Sequence, residues 1–109
     1  MTDDEKKEVR EAFRRAVNMT QRELEGWLQT EDSRSVGGTR EGESEAIGHQ
    51  SGRRIIELTR RKAAELDEDD YAHMRKVIGY VHRHTAQRPG GDVTDTRWRQ
   101  SLMNWGHDP

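Results

Sequence analysis

Apolar residues recur at helical spacing through almost every segment of this chain, and nowhere do they alternate as a half-buried strand requires. Val9, Ala12, Phe13, Ala16 and Val17 stand at i, i+3, i+4, i+7 and i+8, a complete stripe for one helix face. Leu24, Trp27 and Leu28 mark a second face, and Ile55, Ile56, Leu58, Ala63 and Leu66 a third. Tyr71, Met74, Val77, Ile78 and Val81 make the fourth, while Trp98, Leu102 and Trp105 fall at i, i+4 and i+7 on a short fifth. No internal repeat and no Asn-Gly hairpin signal interrupts the pattern. The fold class is therefore all-α, a single domain over residues 1–109 with about five helices. The expected core is Val9, Phe13, Val17, Leu24, Trp27, Leu28, Ile55, Tyr71, Met74, Ile78, Val81, Trp98 and Leu102. That core is thin. Leu, Ile, Val and Phe together number 16 of 109 residues, a level that points to disorder when net charge is also large. Here 19 basic residues balance 21 acidic ones to leave −2, so the charges are expected to pair along helix surfaces.

The helix ends are marked by their own chemistry. Asp3, Asp4 and Glu5 suit a first turn, and Asn18 reads as a left-handed terminator. Thr20-Gln21-Arg22-Glu23 has the form of a capping box. Between helices two and three, residues 33–50 lose all periodicity, and five of the ten glycines lie from Gly37 to Gly52. This Gly/Ser/Glu-rich stretch is expected to be a long loop anchored by Val36 and Ile47, with 33–46 the most mobile internal segment. Ser51 is the expected N-cap of the third helix, which should end near Leu66. Asp67-Glu68-Asp69-Asp70 opens the fourth helix, and Gln87-Arg88-Pro89-Gly90-Gly91 closes it. Thr94 or Asp95 should cap the fifth, with Gly106 as its C′ glycine.

Several classes of function are disfavoured at once. No cysteine is present, which removes disulfides, thiolate chemistry and Cys-based zinc sites. The chain opens Met1-Thr2-Asp3-Asp4-Glu5, unlike a signal peptide, and no apolar run approaches a membrane span. A cytoplasmic location with no membrane partner is expected. Gly48-His49-Gln50-Ser51-Gly52 resembles a nucleophile elbow with its serine one place late and no strand before it. His82 and His84 lie ~200° apart on a helix and cannot share one ion locally. The acids at 67–70 lack the alternation of a calcium loop and suit a helix start better. Trp98 and Trp105 read as core residues before base-stacking platforms. Neither catalysis nor a metal or other cofactor is expected.

What remains is the distribution of basic groups. Acids outnumber bases through Asp32, whereas residues 53–62 hold five bases against one acid. Arg53 and Arg60, and Arg54 and Arg61, pair at spacing seven on the side of the third helix opposite its apolar face. With Ser51 as N-cap, the amides of Gly52 to Arg54 would be free donors at a helix start, a good environment for phosphate. Lys62, Lys76 and Arg83 extend the basic surface. The expected nucleic-acid-binding set is thus Ser51, Gly52, Arg53, Arg54, Arg60, Arg61, Lys62, Lys76 and Arg83. A molecule near neutrality can still hold a polyanion on one side, because potential is local within a Debye length of ~8–10 Å. The sequence pI of about 6.2 weighs against this, since nucleic-acid modules are commonly basic.

The wording of the second half resembles a known family. Gly42-Glu43-Ser44 leading to Gly48-His49-Gln50-Ser51-Gly52-Arg53-Arg54-Ile55 is one part of the likeness. Tyr71-Ala72-His73-Met74-Arg75-Lys76-Val77, His82-Arg83-His84 and Gln87-Arg88-Pro89 are the next. Arg97-Trp98-Arg99 and Ser101-Leu102-Met103-Asn104-Trp105-Gly106-His107-Asp108 complete it. Together they resemble the bacterial and archaeal family catalogued as domain of unknown function 3140. The resemblance covers nearly everything after the first helix, implies a DNA-binding label and supplies no catalytic residue. Two readings stand. One is a small cytoplasmic protein making mostly sequence-tolerant phosphate contacts, to DNA before RNA, through the arginine face of the third helix. The alternative is a protein-interaction or regulatory module without nucleic-acid binding, in which the arginines and an exposed Trp98 or Trp105 face an acidic or apolar protein partner, a second copy of the chain being one candidate.

Overall fold

The computed structural model describes residues 1–36 and 47–109, and among them there are helices and no strand. In chain order they are α1 (Asp3–Ala16), α2 (Gln21–Leu28), α3 (Glu31–Ser35), α4 (Ile47–Arg60), a 3₁₀ turn (Ala63–Glu65), α5 (Glu68–Ala86) and α6 (Arg97–Asn104). None is long and apolar enough to cross a membrane. The described residues are helical as expected, but they form six α-helices rather than about five.

The largest packing interface is α1 against α5, and the second is α2 against α4. The short α6 touches α2, α3, α4 and α5 and locks the two pairs together. Val9, Phe13 and Ala16 of α1 join Tyr71, Met74, Val77 and Val81 of α5, and Leu24, Leu28, Ile55 and Leu58 fill the other half. Leu102 is completely buried between them. Nine of the thirteen expected core residues are buried; Val17, Trp27, Ile78 and Trp98 are half-buried at the edge of the cluster. Each of the four keeps one edge near solvent because a thin core cannot enclose every apolar residue on a wide stripe.

The capping chemistry explains most boundaries. The Thr20 hydroxyl accepts from the Glu23 amide while the Glu23 carboxylate accepts from the Thr20 amide, the reciprocal box read from the sequence. Asp67 and Asp70 form the same arrangement at the start of α5. Thr96, not Thr94 or Asp95, caps α6 through the Arg99 amide, because Thr94 is already held in a turn by Asp92. The third expected helix stops at Arg60 rather than near Leu66, and the chain tightens into the 3₁₀ turn.

Two further expectations fail for clear reasons. Asn18 is not left-handed, since no residue other than glycine has positive φ among those described. Its side chain instead bonds both ways to the backbone of Asp108, tying the end of α1 to the C-terminal tail. The stretch 33–50 is not one loop: Ser33 belongs to α3, and α4 starts at Ile47. The remainder of that loop lies outside the described residues, as does most of the 33–46 segment expected to be mobile. Val36 and Ile47, its expected anchors, do converge on a common recess with Tyr80 and Trp105.

Gly106 stands in the left-handed region at φ 79°, as the C′ position requires, and a Cβ there would lie 2.9 Å from Val17 Cγ1. Gly106→Ala is therefore expected to cost about 1–3 kcal/mol, combining the left-handed penalty with crowding. A thermal melt checks it, and an unchanged midpoint would show that the tail turn adapts freely.

Candidate functional site

The stretch singled out by its arginines is not a helix start. Ile47 opens α4, so Ser51 and Gly52 lie in the helix interior, where their amides are turned into the helix rather than toward a ligand. Both residues are buried. Gly52 is a packing glycine: a Cβ would sit 2.6 Å from the Asn104 carbonyl oxygen and 2.7 Å from Leu28 Cδ2. Gly48, one turn earlier, lies against Asn104 and Trp105. The two glycines let α4 approach the end of α6 closely, and they are no hinge. His49 is turned inward as well, its Nε2 2.7 Å from the Leu28 carbonyl oxygen at the end of α2.

The arginines divide into two groups. Arg60 is paired with Glu25 of α2, and Arg61 Nη1 donates to Asp70 Oδ2 at 2.7 Å. Lys62 belongs to the turn after α4, where its amide donates to Glu65. These three sit at the far end of α4 and serve the fold. Arg53 is exposed on the outer face. Arg54 turns toward α5, with Nη2 3.4 Å from Asp70 Oδ1 and its side chain 42% exposed. That long contact leaves most of its donors facing outward.

Asp70 is the hub of this end. It is 3% exposed and accepts from the Asp67 amide, from Arg61 and from Arg54. Burial pushes its carboxyl up, but the Asp67 amide and Arg61 more than offset that and hold it below the ordinary aspartate value.

Between α4 and α5, next to Arg54, the chain forms a recess of about 280 Å³ lined by Ile47, Gln50, Ser51, Arg54, His73 and Lys76, with Trp105 behind. Among the described residues, no carboxylate is in that lining. An outer shelf of about 300 Å³ continues it over Ala72 and brings in Asp69. At the floor, Ser51 Oγ and His73 Nε2 share a hydrogen bond of 3.0 Å. Burial lowers the His73 pKa to about 4, with Arg54 and then Lys76 adding to the effect and Asp70 opposing it. His73 is thus neutral at pH 7, and the positive charge of the recess comes from Arg54 and Lys76.

Aromatic rings support the recess from behind. His73 stacks on Trp105 at 6.3 Å, Trp105 on Tyr80 at 4.4 Å, Tyr80 on His84 at 5.1 Å and His84 on Trp98 at 5.7 Å. Arg88 covers the far face of Trp98 at 5.6 Å. Trp105 is buried, and Trp98 is half-buried with its indole N–H given to the His84 carbonyl. Trp105 is therefore enclosed in the core, while Trp98 keeps one edge toward solvent. Lys76 and Arg83, seven residues apart, share one row of α5, and Arg83 folds back over Gly79 toward Lys76.

Of the nine expected binding residues, Ser51, Arg54 and Lys76 meet at the recess, and Arg83 lies outside its lining, about two turns along α5 from Lys76. Gly52, Arg60, Arg61 and Lys62 do not join them, and Arg53 lies on a neighbouring face. Gln50 and His73 complete the lining and were not expected there. Their signal was present: on the α4 wheel Ser51 falls inside the apolar face, where it must meet a partner from another helix.

The described residues form a small helical fold with a recess, lined by Arg54 and Lys76, between two of its helices. The chain belongs to the family described as a protein of unknown function, DUF3140, whose model matches residues 12–103. No match was found among curated proteins or among solved structures.

Proposed function

We propose that this protein binds nucleic acid by sequence-tolerant contacts to phosphates, made by Arg54, Lys76 and Arg83 along the α4–α5 surface. The observation that carries this reading is the composition of the recess: among the described residues, two cations stand at a concave site with hydroxyl, amide and imidazole groups and no carboxylate. Acids outnumber bases over the chain through Asp32, so charge is unevenly distributed and the net −2 does not describe this face. The lining includes one side-chain amide, Gln50, too few groups of that kind for reading base edges. DNA is the expected polymer on the resemblance of the sequence, and RNA is the parallel arm of the test. The site has moved from the reading given by sequence alone, from the whole arginine face of one helix to the seam between two.

The experiment is a titration of labelled duplex DNA and duplex RNA at two salt concentrations. Lys76→Gln with Arg83→Gln removes up to two phosphate contacts, so the slope of log K against log salt should fall by up to ~1.8 on duplex DNA. Both residues are exposed, so the thermal midpoint should hardly move. Arg60 and Arg61 are unsuitable targets, because removing them breaks pairs that hold α2 and α5 in place. Wild-type protein that binds neither polymer at about 50 mM salt more tightly than the ~10⁻⁴–10⁻⁶ M of non-specific contacts overturns the proposal. An acidic protein partner on the same cations is then the reading that remains.

A further inference from the structure

The recess has a shape that the exposed row beside it lacks. Lys76 and Arg83 can meet the convex backbone of a polymer, which needs only outward-facing charges. The recess is walled by Ile47 and Trp105 and floored by the Ser51–His73 pair, with Arg54 and Lys76 at its mouth. An internal phosphodiester offers two non-bridging oxygens and continues into chain on both sides, so it cannot descend into such a site. A terminal phosphomonoester offers three acceptor oxygens, carries a charge of about −1.5 to −2 at neutral pH, and is attached on one side only. It can enter end-on.

Resting on the nucleic-acid reading above, we propose that the recess binds the terminal phosphate of a nucleic-acid strand. Arg54 and Lys76 take its charge, and the Ser51 hydroxyl with the His73 imidazole meets the oxygen that reaches the floor. The arrangement suits a monoester on chemical grounds. Two point charges at one site match a dianion, and the serine hydroxyl can turn its proton outward to a phosphate oxygen. His73 needs no charge of its own, because a neutral imidazole whose Nε2–H donates to Ser51 Oγ leaves the serine proton for the phosphate. Asp69, on the outer shelf, stands beside the path of entry and disfavours a second anion there, which fits one terminal phosphate better than a run of internal ones.

The test compares duplexes of one sequence, internally labelled, with 5′-phosphate, 3′-phosphate or hydroxyl ends, in fluorescence anisotropy at about 50 mM salt. Wild-type protein is expected to bind at least one phosphorylated form about tenfold more tightly than the hydroxyl-ended duplex, the return from several charge-assisted bonds. Ser51→Ala and Lys76→Gln, each checked for helicity, should shrink that ratio toward one. Lys76 is exposed, so its variant remains informative if Ser51→Ala fails to fold. Equal binding of all three duplexes overturns this inference and leaves nucleic-acid binding intact. No binding of any duplex overturns both. A ratio that persists in both variants moves the terminal phosphate out of the recess. Displacement of the duplex by micromolar AMP would make a free phosphomonoester the ligand and would overturn the assignment to a strand end.

Discussion

Asn104→Ala should lower the stability of the protein by about 3–5 kcal/mol, the largest effect expected of any single truncation here. Asn104 is completely buried at the end of α6. Its carbonyl oxygen accepts from the Trp27 indole at 2.8 Å and from the Ser33 hydroxyl, and its amide donates to the Ser33 carbonyl at 2.9 Å. One side chain therefore satisfies polar groups on α2 and α3 as well as its own. Alanine would leave three partners without it, two of them on the fully buried Ser33. Each such loss costs about 1–3 kcal/mol, less for the half-buried indole, which can reach water. A small domain has only about 5–15 kcal/mol in total, so the variant should be close to unfolding at room temperature. Denaturant titration gives the number. A loss below about 1 kcal/mol would mean that water replaces the amide, and that Asn104 is not the keystone of the α2–α3–α6 junction.

That junction shows what the sequence makes legible and what it hides. Helix class, the stripes of α1 and α5, the capping box at Thr20 and the acidic start at Asp67 are local properties, each decided within about one or two turns of chain. They were readable for that reason. Gly48 and Gly52 were not, because a glycine that admits a neighbouring helix and one that begins a flexible entry look alike in sequence. The difference is set by Asn104, more than fifty residues away. The C-terminal wording has the same character. Asn104 bridges helices, Trp105 backs the recess, Gly106 turns the chain, His107 reaches the Ala16 carbonyl at 2.7 Å and Asp108 pairs with Arg99. Apart from Gly106, which reads as a C′ glycine, none of these roles has a short-range signature. The arginine face was visible as a pattern, yet charge counts alone could not separate Arg54 from Arg60 and Arg61. That separation follows from where Asp70 and Glu25 sit in space.

Asp70→Asn is expected to move stability and binding in opposite directions. Asparagine keeps an oxygen for the Asp67 amide and Arg61, which share Oδ2, but loses the negative charge and the oxygen that Arg54 meets, a cost of about 1.5–3 kcal/mol at pH 7. The pH dependence identifies the cause. With a folded pKa held below 3.8, Asp70 contributes stability that is present above the unfolded value and is lost as pH falls through the folded one. His73 acts earlier: its pKa drops from 6.5 to about 4 on folding, so the unfolded chain binds the extra proton and stability declines as pH falls through that window. The wild-type acid limb should therefore have two stages, one between pH 6.5 and about 4 and a second below 3.8. In Asp70→Asn the second stage should flatten while the first remains. At the same time a negative charge beside Arg54 is gone, which frees the guanidinium and raises the potential at the recess mouth. Anion binding at low salt should tighten by about threefold or more, an effect that added salt suppresses. A variant that loses stability and binds phosphate-bearing ligands no better would show that Asp70 holds Arg54 in its working position instead of competing with the ligand for it.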